Sequence, residues 1–313
     1  MKRSSLLLII ALLILGACSS RRESIGKPCE VMVTGEETKA VMVVDNLLTL
    51  SFIDALPKNE RSFDVVTLTG KKANKVRYER CIVRVKTDSS HKGKTMITSK
   101  TNQWAQPQLV VNIIATSAAQ LDKEKNNWGT KLIKMLEQFE RRQYIREIEK
   151  KNEKEMTLLT EKVTGHKLLI PNGMTAFKKG KDFLWISNNT ATGMKNICCY
   201  VYGDTTLNAK TLIEKRDSMM QTYIHGEKKD SYMKTERQLN LIAKNITVNG
   251  QQRLEVRGLW YMKGDAMGGP FICHAICKKE EKKVVVAEGF IYAPETRKRE
   301  LIKQLEAVLY TLN

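Results

Sequence analysis

No reaction signature is legible in this chain. It contains no G-x-S-x-G, no H-E-x-x-H, no C-x-x-C and no P-loop pattern, so the usual marks of catalysis are missing. Histidine is scarce: His91, His166, His225 and His274 are the four among 313 residues, and they show no metal-ligand spacing. No RNP, KH or zinc-finger pattern accompanies the basic charge, which argues against nucleic acid as a partner. After residue 17 no apolar run is long enough to span a bilayer, for which about 20 residues are needed. The longest candidate, Val41 to Phe52, is broken by Asp45 and Asn46. Neither a metal nor a cofactor is expected.

What is present begins at the N-terminus. Lys2 and Arg3 form a basic start, Leu6 to Leu15 an unbroken apolar stretch, and Leu15-Gly16-Ala17-Cys18 a lipobox. Ten apolar residues are too few to span, but they suit an export signal. Residues 1–17 read as a lipoprotein signal peptide and Cys18 as the lipidated residue, palmitate included. Several acyl chains make an anchor stable where one does not. Residues 18–28 read as a polar tether.

The formal net charge is +19, two units of which leave with the signal. Such a charge bears on solubility and on encounters with anions, not on fold. The basic residues are dispersed, so a basic solvated surface is the first expectation. Six further cysteines follow Cys18. Cys81, Cys198, Cys199, Cys273 and Cys277 fall in runs that read as buried strand, and reduced core cysteines with at most one long-range bridge are expected. Cys273 and His274 are adjacent on a strand and point to opposite faces, so they cannot form a dyad.

Strands are expected over 29–33, 63–68, 81–85, 109–115, 167–170, 182–187, 196–202, 253–262, 271–277 and 283–292. Thr34-x-x-Glu37 reads as a capping box before a helix over 38–54, and Ser117-x-x-Gln120 as a second cap. One long, salt-bridged helix is expected over 130–164, with its apolar stripe interrupted at Gln143 and Asn152. Further helices are expected over 207–224 and after Pro294. Glu79–Asp88 faintly echoes Lys195–Asp204. The fold class expected is α+β: two related halves, 29–165 and 166–313, with mainly antiparallel sheets, helices packed on one face, and the long helix connecting them.

The densest segment runs from Arg257 to Phe271. Gly264, Gly268 and Gly269 permit positive φ, and Pro270 fixes the exit. Arg257, Trp260, Tyr261, Asp265, Gly268 and Gly269 are the candidate ligand or turn-loop residues. Asp265 either binds its own turn or faces a ligand. The run RGLWYMKGDAMGGPFICH, followed by VVVAEGFIYAPETRKRELIKQLEAVLYTL, resembles a family of uncharacterised bacterial lipoproteins, domain of unknown function 4837. Trp104–Gln108, Asp182–Ile186, Arg216-Asp217 and Ser231–Met233 add to the resemblance. It implies a Gram-negative, Bacteroides-type envelope lipoprotein and carries over no catalytic residue. Ser19-Ser20-Arg21-Arg22 after the lipobox lacks the acidic residues of a surface-export signal, which implies the periplasmic face of the outer membrane.

The leading expectation is therefore a non-enzymatic binding or assembly module, anchored to the membrane by its N-terminal lipid, with an envelope protein or anionic polymer as partner. Two alternatives stand beside it: an enzyme acting on an envelope polymer or lipid through the Asp265 loop, and a small anion-binding sensor.

Overall fold

A computed structural model describes residues 22–239 and 241–313. Cys18 and the signal segment lie outside the described residues. The described residues form two compact units, one from those within Met1–Leu48 and Phe63–Leu136, the other from those within Thr49–Ser62 and Glu137–Asn313. The division falls inside a helix rather than after it, and the short segment 49–62 belongs with the C-terminal part of the chain.

In the first unit the described end of the tether is fixed, not free. Ile25 N–H donates to the Tyr78 carbonyl and Arg80 N–H to that of Ile25, both at 2.7 Å. Then come β1 (Glu30–Gly35), α1 (Thr38–Thr49), β2 (Asp64–Thr69), a short 3-10 turn at Lys71–Lys75, β3 (Cys81–Thr87), β4 (Met96–Thr101), β5 (Leu109–Ala115), α2 (Ala118–Lys123) and α3 (Lys125–Lys150). The sheet order is β2-β1-β3-β5-β4. All pairings are parallel except β4 on β5. The antiparallel expectation fails here because β1 and β2 are joined through a helix, the connection that parallel strands require. Thr34 sits in β1, so it cannot cap α1. Ser117 does cap α2: its hydroxyl accepts the Gln120 N–H at 3.2 Å, while Gln120 Oε1 accepts the Thr116 N–H at 2.8 Å.

The second unit adds α4 (Lys154–Thr164), β6 (Ala176–Gly180), β7 (Phe183–Ser187), β8 (Met194–Gly203), α5 (Ala209–Tyr223), β9 (Tyr232–Thr235), β10 (Ile242–Val248), β11 (Gln251–Lys263), β12 (Gly268–Lys278), β13 (Lys283–Tyr292) and α6 (Arg299–Leu309). Its strands are antiparallel throughout, in the order β10-β11-β12-β13-β8-β7-β6, with β9 also on β11. The α+β class holds. The two halves, however, have different topologies, and the echoing segments are a parallel strand, β3, and an antiparallel one, β8.

Helices cover both faces of the second sheet, not one. Cys198, Tyr200, Val284, Val286 and Cys273 pack with Leu212 and Met220 of α5. Ile197, Cys199, Ala287 and Ile291 pack with Met156 of α4 and Ile302, Leu305 and Val308 of α6. Strands such as NICCYV and VVVAEGF are near-continuously apolar, which is what a sheet buried on both faces demands.

The expected long helix is broken between α3 and α4. The Asn152 amide donates to the Ile148 carbonyl at 3.1 Å, the acceptor that a continuing helix would offer to the Asn152 backbone. The stretch 167–170 forms no strand. Three of its N–H groups go to threonine hydroxyls, Leu168 to Thr160 at 3.0 Å, Leu169 to Thr311 at 3.1 Å and Ile170 to Thr157 at 3.1 Å, and that of Lys167 goes to the Asn313 carbonyl at 3.2 Å.

Candidate binding cleft

The β11–β12 hairpin is where the sheet outruns its helical cover. Along β11, Leu254, Val256, Trp260 and Met262 enter the α5-side core. The alternate residues face the α6 side. Near Glu255 and Arg257 that face is closed over; at Leu259 and Tyr261 it opens.

There a cleft of about 630 Å³ forms within the second unit. Its floor is Leu259, Trp260, Tyr261, Gly268 and Gly269. Segment 57–60 makes one wall, the loop 294–298 another, and Glu236 with Leu239 a third. Gly268 lies directly across from Tyr261, and Gly269 from Trp260. Both must be glycine because backbone approaches closely: a Cβ would come within 2.9 Å of the Trp260 carbonyl oxygen at Gly268 and 2.1 Å of the Ile291 oxygen at Gly269. Part of the floor is therefore bare backbone.

Glu60 holds two walls together. Its carboxylate accepts the N–H of Lys298 at 2.8 Å and that of Arg299 at 2.8 Å, capping the start of α6. The Lys298 ammonium donates to the Thr296 carbonyl at 2.8 Å, and Glu236 accepts its own turn's Gln238 N–H at 2.8 Å. Lys58, Arg297 and the Tyr261 hydroxyl have no protein partner among the described residues.

The sequence-derived candidates thus divide three ways. Tyr261, Gly268 and Gly269 line the cleft, as does Trp260, a residue only 2% exposed whose side chain enters the α5-side core. The Trp260 indole N–H donates to the Ile291 carbonyl at 3.2 Å, and its ring meets Phe290 edge-on. Asp265 does not line the cleft: it accepts the N–H of Ala266 at 2.7 Å, with Lys228 at 3.8 Å. Arg257 does not either. It lies eight residues back along the chain, most of them in β11 at about 3.3 Å each, and is only partly exposed.

Arg257 belongs to a covered ionic chain that the alternating sequence pattern concealed. Arg141 donates to Glu306 at 2.7 Å. Arg257 bridges Glu306 at 3.1 Å and Glu255 at 2.8 Å, and the His274 ring meets Glu255 at 3.2 Å. Burial pushes the carboxyls of Glu255 and Glu306 up, but their cationic and imidazole neighbours hold both below the ordinary value. Burial lowers the His274 pKa against the pull of Glu255, and its Nδ1 has no partner. On the α5 side, fully buried Arg216 grips Glu288 at 2.7 and 3.0 Å while its other arm reaches Thr235 at 2.8 Å. Asp217 accepts from Thr235 at 2.6 Å and from Arg237 at 2.9 Å.

The other reactive residue types are engaged elsewhere. The six described cysteines are free and five are buried; burial raises Cys199 to about 12. Cys273 packs on the α5 side, whereas His274 faces Glu255. No grouping of three or more metal-ligating side chains occurs among the described residues.

A family model, Domain of unknown function (DUF4837), matches residues 152–311, just over half of the chain. The chain belongs to the DUF4837 family. A second, Domain of unknown function (DUF8532), matches residues 24–149. The DUF4837 match takes in β11, β12 and the 294–298 loop but not Glu60, so the cleft needs a wall from outside it. No curated protein matches the chain. Among solved structures, the Saccharomyces cerevisiae Ran-binding protein Mog1p shares 12% identity over 47% of this chain and 89% of its own, with a TM-score of 0.31. A mutant of protein Mog1 shares 13% over 46% and 84%, with a TM-score of 0.27. At these scores neither bears on function.

Sequence reasoning missed Glu60, Glu236 and the 57–60 wall. No local signal marks them, since the partners of Glu60 are about 240 residues away.

Proposed function

We propose that this protein is an envelope lipoprotein, anchored through Cys18 and facing the periplasm, whose DUF4837 unit is a binding module. The observation that carries the binding reading is the open cleft at Tyr261. It has a glycine and aromatic floor, three walls of polar loop, and no Ser, Cys or His in its lining. Such a site can hold a ligand, and two of its carboxylates, Glu60 and Glu236, are already spent on backbone N–H groups of the fold. An enzyme working through Asp265 would need that carboxylate turned to a substrate, and it accepts the N–H of its own turn instead. The anion-sensor reading draws support from Lys58, Arg297 and Lys298 around the cleft.

Two experiments test this. Cys18→Ala is expected to leave the membrane fraction after a high-salt wash; a variant that stays there removes the lipid anchor from the reading. Envelopes are then mildly solubilised, and the lipidated chain and its Tyr261→Ala variant are used as bait at low and moderate salt. A component held near stoichiometry at both salts by the parent and released by the variant is expected. Equal retention by both overturns the cleft as the binding site.

A further inference from the structure

Resting on the binding-module reading, we infer that the cleft takes an acidic saccharide, a ring stacked at Tyr261 with its anionic group held by Lys58 and Arg297. The shape of the floor comes first. It is a sheet face, not a sheet edge: β11 is paired by β12 on one side and by β9 and β10 on the other, and β12 is paired by β13. At Trp260 and Tyr261 both sides of β11 are taken, by β9 and by β12, so a peptide cannot add a strand there. What the floor offers instead is the half-buried Tyr261 ring beside the bare backbone of Gly268 and Gly269. A pyranose presents such a surface with a flat set of C–H bonds, while its hydroxyls project sideways towards the walls.

The walls supply the polar half. Groups already engaged within the fold are Glu60, on the start of α6, Glu236, on its own turn, and Lys298, on Thr296. Those without a protein partner among the described residues are Lys58, Arg297 and the Tyr261 hydroxyl. The unengaged charges thus include two cations, with Glu295 as the exposed carboxylate. A neutral sugar would leave both cations unanswered. A carboxylated or phosphorylated one would answer them with charge-assisted hydrogen bonds, for which arginine's planar fork suits either anion. The formal charge of +19, less the two units of Lys2 and Arg3, adds long-range attraction for such polymers.

Calorimetric titration of the full mature chain tests this with four probes: trigalacturonic acid, mannose 6-phosphate, maltotriose and inorganic phosphate. At least one acidic sugar is expected to bind about tenfold tighter than maltotriose, and to weaken with salt. Which of the two binds distinguishes a uronate from a sugar phosphate. Tyr261→Ala should cost about tenfold or more, Tyr261→Phe much less, and Lys58→Ala with Arg297→Ala should reduce the acidic probe to the level of maltotriose. Circular dichroism establishes that each variant is folded, and Tyr261→Phe keeps the ring if Tyr261→Ala is not. Binding of maltotriose equal to that of the acidic sugars overturns the inference. So does inorganic phosphate matching them, which would make the site one for bare anions, or no binding by either acidic sugar. If the acidic sugars fail while an envelope component is still lost on Tyr261→Ala, the ligand class is wrong and the binding module stands. If both fail, the cleft is not the binding site.

Discussion

Arg216 and Glu288 are both fully buried, and they face each other across the α5 side of the second sheet. Burial opposes the Arg216 charge, yet Glu288 holds its pKa above the ordinary value. Removing one partner strands the other without water. Arg216→Met is therefore expected to cost about 3–5 kcal/mol, and pairing it with Glu288→Leu to recover much of that loss. Urea unfolding of the two single variants and the double variant checks the coupling; simple additivity would contradict it. His274 makes a different prediction. Its folded pKa is depressed, so unfolding takes up a proton below the ordinary value of 6.5. The stabilisation from keeping the ring neutral is complete above that pH and declines as pH falls from there towards the folded value. His274→Gln keeps a donor for Glu255 and removes the titration. Between pH 7 and pH 5 the urea midpoint of the parent should fall more steeply than that of the variant.

At the scale of elements, α6 shows how distant residues complete a local structure. Its apolar stripe, Ile302, Leu305, Val308 and Leu309, is legible in the sequence and is buried. Its cap is not legible, since no side chain of its own N-cap residue makes the bond. Glu60 does so instead, and Glu60→Ala is expected to destabilise the fold by about 1 kcal/mol. Denaturant unfolding gives that value, and an unchanged midpoint would show that water replaces the carboxylate fully. The strands divide in the same manner. Leu109–Ala115 and Lys283–Tyr292 match their expected bounds because continuous apolar runs have one stable place, inside a covered sheet. Edge strands β4, β6 and β10 escaped notice because their residues are mostly exposed and polar, with neither alternation nor a run to betray them. At 167–170 an apolar run was present, but threonine hydroxyls took the N–H groups that a ladder would have used.

For the molecule as a whole, the division of the chain has a practical consequence. The second unit includes Thr49–Ser62 as well as Glu137–Asn313. A fragment of 137–313 lacks Glu60, the 57–60 wall, and the Ser62 carbonyl that the Lys303 ammonium reaches at 3.1 Å. It is expected to be less stable than the same unit in the full chain by at least about 1 kcal/mol. It is also expected to lose the cleft ligand. Thermal unfolding and the calorimetric titration read both effects. A fragment that binds as the full chain does would show that the wall is dispensable.

The sequence by itself determined the α+β class, the helix and strand identity of its long periodic segments, the buried character of Cys81, Cys198, Cys199 and Cys273, and the family resemblance. Each of these follows from local composition and spacing, which a chain carries whether folded or not. It also marked the Arg257–Phe271 segment, where glycine density reports close backbone approach. Only the tertiary structure decided which of those residues act together. Asp265 turns to its own loop, Arg257 is held between two glutamates, and Tyr261 remains at an open face. Parallel pairing in the first sheet, helices on both faces of the second, and Glu60 at the start of α6 were likewise decided there. The reason is physical: pairing direction, burial of charge and the walls of a cleft are set by partners far apart in the chain, and no local pattern of residue types encodes which distant segment will arrive.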